Sequence, residues 1–436
     1  MARLPENHPL RFALNNEVHA RPPEPLSAPA KISCIALITG WPYRDEDRAV
    51  VAELTARYGA TPPGPGVKHY SVDLGDFHLV WERHTEFTRY TFIVKGDAEH
   101  PLSPPALAAA PADWVDALPG DLILAANAAL VDELPCNGDY AEIAARFFGG
   151  HALVGSSVTG GAGLALTDFR IHADGFSSFL IQNKSMPPWH AGRIVQRILE
   201  IETYRVMSLL ALPVANALGP KITQAEKELA EITGVMTRSQ AVDEPALLER
   251  LTRLEAQIEQ GYTESQFRFG AASAYYALVH RRIGELREER IKGMQTFQEF
   301  IERRLAPAMS TCAAAERRQQ ALSDRVERAS QLLATRVNLT LERQNQTLLD
   351  SMNKRAELQV RLQRTVEGLS VAAITYYIVG IIGYLAKGAE AANHAINASL
   401  ITGLSVPIVA AFAGFGLWRL QREFSRQNEK KGEERP

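Results

Sequence analysis

Five ionisable side chains near the start of the chain could bind an anion or a metal ion. They are His8, Arg11, Glu17, His19 and Arg21. Arginine and protonated histidine attract anions, whereas neutral imidazole and carboxylate bind metal ions. The alternative is a proline-locked arm whose charged side chains pair with the body of a domain. The two histidines are eleven residues apart with no Cys or Asp beside them, which is a weak metal pattern, so we favour the structural arm.

A second polar run, Trp81-Glu82-Arg83-His84, places Glu82 and His84 on one face of a predicted strand. A carboxylate beside an imidazole could act as an acid–base pair. No nucleophile, G-x-S-x-G elbow or second carboxylate accompanies this pair. We therefore predict a polar, solvent-exposed strand face at this position.

The segment GSSVTGGAG, residues 155–163, has the glycine density of a phosphate-binding loop. In a P-loop, a lysine that reaches the terminal phosphates follows the glycines. That lysine is missing here, so a hairpin turn is the better interpretation.

Cysteine number and net charge exclude several other kinds of site. Cys34, Cys136 and Cys312 are far apart and odd in number, which predicts neither a disulfide framework nor a metal-ligand set. They fit a reducing cytosol and are expected to be small buried hydrophobes. The formal net charge of −3 argues against a nucleic-acid-binding protein. No catalytic residue, cofactor site or metal site is predicted, and we do not expect an enzyme.

The fold class predicted from the elements is an α+β cytosolic domain over 31–187, preceded by a Pro-rich N-terminal arm over 1–30. Alternating aromatic segments such as FHLVWERH and FTRYTFIVK predict antiparallel strands with one buried face. Helices are predicted from Asp45 to Tyr58 and from Tyr140 to Phe148, and residues 121–131 are a strand or a buried helix.

Residues 188–367 read as a helical bundle and stalk, rich in Glu, Arg, Gln, Leu and Ala. From Leu322 to Val366 apolar residues recur at steps of three and four, interrupted at Gln344 and Arg355. A long helix of this kind needs a partner that covers its apolar stripe, from the same chain or from another subunit. We expect a homo-oligomer formed through the stalk and the membrane helices.

Two long uncharged runs lie within residues 368–420 and predict transmembrane helices at 369–386 and 399–418. Basic residues precede the first run and fill the 421–436 tail, whereas only Lys387 lies between the runs. Positive charge near the ends of membrane spans is retained in the cytoplasm. The pattern predicts a hairpin in the lipid bilayer with both termini cytoplasmic.

The run His8-Pro9-Leu10-Arg11 with Asn16-Glu17-Val18-His19-Ala20-Arg21-Pro22, joined to a C-terminal segment SVAAITYYIVGIIGYL, resembles one family over nearly the whole chain. This is domain of unknown function family 3422, uncharacterised bacterial membrane-anchored proteins. The resemblance implies a bacterial inner-membrane protein and brings no catalytic residues with it.

The layout is also similar to that of CorA-type magnesium channels, which carry a Gly-Met-Asn signature at the outer end of the first span. Here that stretch reads Ile382-Gly383-Tyr384-Leu385-Ala386-Lys387, so the signature is absent. The function expected from the sequence is a membrane-anchored scaffold or sensor that binds an unknown cytosolic ligand or protein. The alternative is a CorA-like ion channel or transporter with a non-standard filter.

Overall fold

The computed structural model describes residues 5–18, 22–40, 45–97, 99–238, 243–392 and 397–432. The chain divides into two compact units, Met1–Gln331 and Leu332–Pro436. The first unit contains a mixed β-sheet and most of the helices. The second unit consists of the long C-terminal helices.

Within the described residues, nine strands form one sheet in the order β2-β3-β4-β1-β5-β8-β7-β6-β9. In chain order they are β1 Ala30–Ile38, β2 His69–Asp73, β3 His78–Arg83, β4 Phe87–Lys95, β5 Asp121–Val131, β6 Val154–Val158, β7 Gly163–Ile171, β8 Ser177–Asn183 and β9 Glu289–Arg290. Every pairing is antiparallel except that of β5 with β8, which is parallel. The GSSVTGGAG segment is the hairpin between β6 and β7, as predicted.

The helices are α1 Arg11–Val18, α2 Glu46–Arg57, α3 Ala112–Asp116, α4 Tyr140–Phe147, α5 Pro188–Leu209, α6 Ala211–Arg238, α7 Glu244–Leu286, α8 Phe297–Arg304, α9 Ala306–Ala392 and α10 Ala398–Gly432. The prediction of a mixed sheet domain followed by long helices is confirmed. Residues 121–131, left open between strand and helix, form β5 because they are buried between β1 and β8.

The core lies on the faces of the sheet. One cluster joins α2 and α3 to the first strands through Val51, Leu54, Trp81 and Trp114, all of which are buried. On the helical side, α5 contacts both β5 and α7. The two-residue strand β9, which comes from the helical part of the sequence, pairs with the edge strand β6. Cys34 and Cys312 are buried as predicted, and Cys136 is half-buried.

Among the described residues, three helical stretches are long and apolar enough to cross a membrane by length and composition: Pro188–Arg238, Phe297–Ala389 and Ala398–Gly416. The first was not expected from the sequence. It covers α5 and α6. The α5 side chains Ile194, Ile198 and Ile201 are fully buried, but only 33% of the most apolar part of this stretch is buried, so packing in the first unit covers only part of it. Of the other two, Phe297–Ala389 contains the predicted span 369–386, and Ala398–Gly416 covers all but the last two residues of the predicted span 399–418. They belong largely to the second unit, where side chains such as Leu369 and Phe412 are exposed.

Candidate metal centre

An irregularity in β7 turns Asp168 toward two histidines. Between Thr167 and Ile171, β7 advances four residues while β8 advances only two, from Phe179 to Ser177. The extra residues form a bulge in which Phe169 has a positive φ of 54°. Such a backbone is costly for a bulky residue and persists only when the surroundings hold it.

Aromatic packing holds this bulge in place. The ring of Phe169 stacks on Phe300 at 4.5 Å between centroids and meets the edges of Phe179 and Phe297. Its backbone N–H donates to the hydroxyl of Thr167 at 3.1 Å. With Phe169 fixed in this pocket, the neighbouring Asp168 side chain is fully buried.

His151 reaches the same place from the end of α4. Gly149 and Gly150 both have positive φ and end the helix, so the chain reverses and the His151 N–H donates to the carbonyl of Phe148 at 3.1 Å. His172 comes from the turn that joins β7 to β8. The backbone N–H of His172 donates to the carbonyl of Phe176 at 2.9 Å, which closes that hairpin.

The three side chains form a compact donor set. His151 Nδ1 lies 2.9 Å from Asp168 Oδ2, and His172 Nε2 lies 3.3 Å from Asp168 Oδ1. One ligand atom from each residue lies within 4.8 Å of the others. Asp168 is buried, while the side chains of His151 and His172 are 39% and 18% exposed. The site therefore has a buried carboxylate and an opening on the histidine side.

Two chemical arrangements fit these distances. Asp168 could accept one hydrogen bond from each histidine and only orient the rings. Alternatively, ligands held about 2.0–2.1 Å from a tetrahedral zinc ion are about 3.3 Å apart, and the Asp–His spacings here are close to that value. Two imidazoles and one carboxylate leave at least one coordination position for water or another ligand.

The sequence-predicted cluster of the arm lies elsewhere. His8 is exposed and its Nδ1 accepts from the Leu10 N–H at 3.2 Å, while Arg11 donates to the side chain of Asn7. Glu17 belongs to α1, but its side chain is not described. His19 and Arg21 lie outside the described residues. The candidate role of these five residues stays a prediction.

The predicted exposed polar face at Trp81–His84 is wrong. Glu82 is 2% exposed because Arg89, its cross-strand partner on β4, donates to it at 2.6 Å. His84 is half-buried and stacks on Phe87 at 4.2 Å between ring centroids. Alternation along the strand could not show that a positive charge would stand directly opposite Glu82.

Ser71, His78 and Glu24 meet at the sheet edge in a grouping that superficially resembles a hydrolase triad. Ser71 Oγ lies 2.8 Å from His78 Nε2, and the Glu24 carboxylate lies 3.3 Å from the same nitrogen. In a triad the carboxylate binds the other ring nitrogen and leaves Nε2 to take the serine proton. Here Ser71 also donates directly to Glu24 at 2.6 Å, so the geometry does not fit nucleophilic catalysis.

His151, Asp168 and His172 escaped the sequence analysis because they sit in segments that read as ordinary strands. One signal was available: Asp168 follows closely on the apolar residues Leu164-Ala165-Leu166 and lies four residues before His172. A carboxylate placed in a buried strand needs a positive or metal partner. The distant position of His151 could be found only from the fold.

Comparisons with known proteins give one match. The family model described as Protein of unknown function (DUF3422) matches residues 6–424. Neither the curated proteins nor the solved structures contain a significant match. Because the family model covers nearly the whole sequence, the chain belongs to this family, Protein of unknown function (DUF3422).

Proposed function

We propose that the protein is a membrane-anchored sensor whose sheet domain binds a divalent transition-metal ion through His151, Asp168 and His172. The observation that carries the proposal is the convergence of these three donors on a strained bulge, with the carboxylate fully buried. Strained backbone kept at a polar cluster is typical of functional sites.

The donor set selects the class of metal. Imidazole suits zinc, copper, iron and nickel, whereas magnesium and calcium prefer sites made of oxygen ligands. With only three protein ligands, the ion keeps a position that a small ligand can occupy. A ligand can exchange at that open position, and both histidines are partly exposed. These features suit a site whose occupancy changes with the metal concentration rather than a permanently closed structural site.

The membrane anchor rests on the C-terminal helices. We infer that residues 369–386 and 399–418 form a hairpin in the bacterial inner membrane with both termini in the cytoplasm. Support comes from the length and apolar composition of α9 and α10, from the exposure of side chains such as Leu369 and Phe412, and from the distribution of basic residues around them. In this orientation the metal site faces the cytosol.

Metal content and thermal stability test the function. The full chain, purified in a neutral detergent without chelator, should retain a single zinc-class ion that elemental analysis detects. Zinc added after chelation should raise the melting temperature, since a ligand at a hundred times its Kd adds about 2.7 kcal/mol of stability. Asp168→Asn and His172→Ala should each lose the ion and the shift.

His100→Ala is the matched control, because His100 also lies beside an aspartate, Asp97 at 3.5 Å, but on the exposed surface. It should keep both the ion and the zinc-dependent shift. If the unaltered protein carries no metal and zinc does not change its melting temperature, the cluster is a hydrogen-bonded structural group and the proposal fails.

The alternative proposal, a CorA-like channel, makes a different prediction about transport. The continuous helix α9 runs from Ala306 through the first apolar run, an arrangement that a channel stalk would also need. Ion flux through liposomes that contain the purified protein separates the two, because an anchored sensor should not carry ions across the bilayer.

A further inference from the structure

A second, basic pocket lies on the first unit between three elements. Its volume is about 480 Å³, and it is lined by Thr159, His190, Arg193, Arg197, Arg281, Gly284, Glu285 and Arg287. Thr159 comes from the β6–β7 turn, His190 to Arg197 from the first turns of α5, and the others from the end of α7 and the residue after it. None of these residues belongs to the proposed metal site.

The pocket has more positive than negative charge. Four arginines and a histidine line it, against one carboxylate, Glu285. Arg197 pairs with Glu285 at 3.0 Å, but Glu285 is shared with Arg282 from the same helix. Within the part of the chain that the structure describes, Arg193, Arg281 and Arg287 form no ion pair with a carboxylate.

Each positive charge disfavours the protonated form of its neighbours in the pocket, as the pKa of Arg197 shows. Burial lowers the pKa of Arg197, Glu285 opposes that effect, and the nearby Arg193 and Arg282 lower the pKa further. Like charges that crowd a partly buried site are costly unless an anion joins them.

The helix dipoles do not account for this arrangement. The C-terminal end of α7 attracts cations, which would explain Arg281 and Arg287 alone. Arg193 and Arg197 are the sixth and tenth residues of α5, beyond the first turn to which the effect of the dipole is confined. The dipoles therefore explain only part of the set, whereas a bound anion would account for all four arginines.

The backbone at the pocket is strained at two points. Thr159 has a φ of 59° and Arg287 a φ of 49°, in a region that β-branched residues in particular avoid. Among the residues that the structure describes, the hydroxyl of Thr159 is buried and has no hydrogen-bond partner. This unused donor lies in the wall of the same pocket.

We propose that this pocket binds a phosphate or pyrophosphate group, either as a free anion or as the head group of an anionic lipid. The guanidinium groups of Arg193, Arg197, Arg281 and Arg287 supply paired N–H donors whose geometry matches phosphate oxygens, and the Thr159 hydroxyl supplies a further donor.

Calorimetry with inorganic pyrophosphate tests the free-anion form. The full chain in neutral detergent is first treated with a chelator and dialysed, because pyrophosphate also binds metal ions. The unaltered protein should bind pyrophosphate, and the double substitution Arg193→Ala with Arg281→Ala should weaken binding at least tenfold, because charge-assisted hydrogen bonds to the anion are lost. Both arginines are exposed, so their removal should not unfold the domain.

The matched control removes the same charge elsewhere. Arg253→Ala with Arg303→Ala changes two exposed arginines outside the pocket and should leave the affinity unchanged.

The head-group form is tested in nanodiscs: phosphatidate should protect Arg281 from arginine-modifying phenylglyoxal, whereas discs of phosphatidylcholine alone should not. Protection by phosphatidate without pyrophosphate binding assigns the pocket to lipid, and the reverse assigns it to a free anion. Neither effect, or equal binding by the pocket and control variants, overturns the proposal.

Discussion

Among the described residues of the first unit, Arg89 is the most deeply buried positively charged side chain, and it belongs to a cluster of charged residues. It is 3% exposed and contacts Glu82 on β3 and Glu200 on α5, the latter at 3.7 Å. Burial alone would lower the pKa of Arg89, yet the Glu82 carboxylate and other nearby groups raise it. Burial would likewise raise the pKa of Glu82, but the guanidinium outweighs it and keeps that pKa below its ordinary value. Both groups are therefore ionised at neutral pH.

Removing only the cation should be strongly destabilising. Arg89→Met leaves the carboxylate of Glu82 buried without its ion-pair partner, whereas Glu200 keeps its pair with Arg282. Losses of roughly 3–5 kcal/mol are typical of such a change. Urea unfolding of the full chain in detergent, followed by tryptophan fluorescence, measures the effect. Adding Glu82→Leu to Arg89→Met should recover part of the loss, since two apolar residues leave one fewer charge unpaired.

Arg57→Met is the control for this substitution. Arg57 pairs with Glu53 and Asp113, both at 2.7 Å but on the surface, where ion pairs contribute little. An unfolding midpoint for Arg89→Met that matches the Arg57→Met value would show that the buried group is dispensable.

The environments of single residues could be predicted from the sequence only in part. Positions with a local signal were predicted: the missing lysine identified 155–163 as a hairpin, and burial of Cys34 followed from its apolar strand. Glu82 was misplaced because its environment depends on Arg89 from the next strand. His151 and Asp168 are seventeen residues apart in sequence and meet only because a helix end and a bulge face each other, which no local pattern encodes.

At the scale of elements, alternation and helix periodicity predicted α2, α4 and the antiparallel strands of 31–187, but left β5 open, missed α3 and did not give the order of the strands in the sheet. The parallel pairing of β5 with β8 and the capture of Glu289–Arg290 as β9 involve chain segments far apart in sequence. Such pairings depend on tertiary packing, such as that of α5 on β5, rather than on local preference.

Docking of the N-terminal segment on α5 depends on a glycine. The Leu26 N–H donates to the carbonyl of Pro188 at 3.0 Å, and Leu26 is buried. A Cβ added at Gly192, one turn along α5, would overlap the carbonyl oxygen of Glu24. The absence of a side chain at Gly192 therefore allows residues 24–26 to lie against the helix.

We predict that Gly192→Ala detaches residues 24–26 from α5. Overpacking against backbone atoms that cannot rotate away costs about 1–3 kcal/mol or more, which exceeds the helix-propensity gain of roughly 1 kcal/mol from glycine to alanine. Limited proteolysis should then cut near Glu24 faster than in the unaltered protein. Gly270→Ala on α7, where an added Cβ meets nothing within 4 Å, should leave the cleavage rate unchanged, and an equal rate for both variants would contradict the prediction.

At the scale of the whole molecule, the stalk exposes a row of large apolar side chains outside the expected spans. The beginning of its apolar stripe, at Leu322, Val326 and Ala329, is buried within the first unit. Farther along, in the second unit, Leu348, Met352 and Leu362 are 59%, 57% and 67% exposed. Exposure of this stripe to water is unfavourable, because burying each Leu or Met side chain would stabilise the helix by about 1.5–3 kcal/mol.

We propose that copies of the same chain cover this stripe, which would make the protein a homo-oligomer through its stalk. Leu348→Glu with Met352→Glu places charges in the proposed contact and should lower the mass measured by light scattering in detergent, while the protein still inserts in the membrane. Gln346→Glu with Asn353→Glu adds the same charge to exposed positions on other sides of the helix and should leave the mass unchanged. An unaltered protein that is already monomeric would refute the shared stalk, and the oligomeric channel would then be excluded with it.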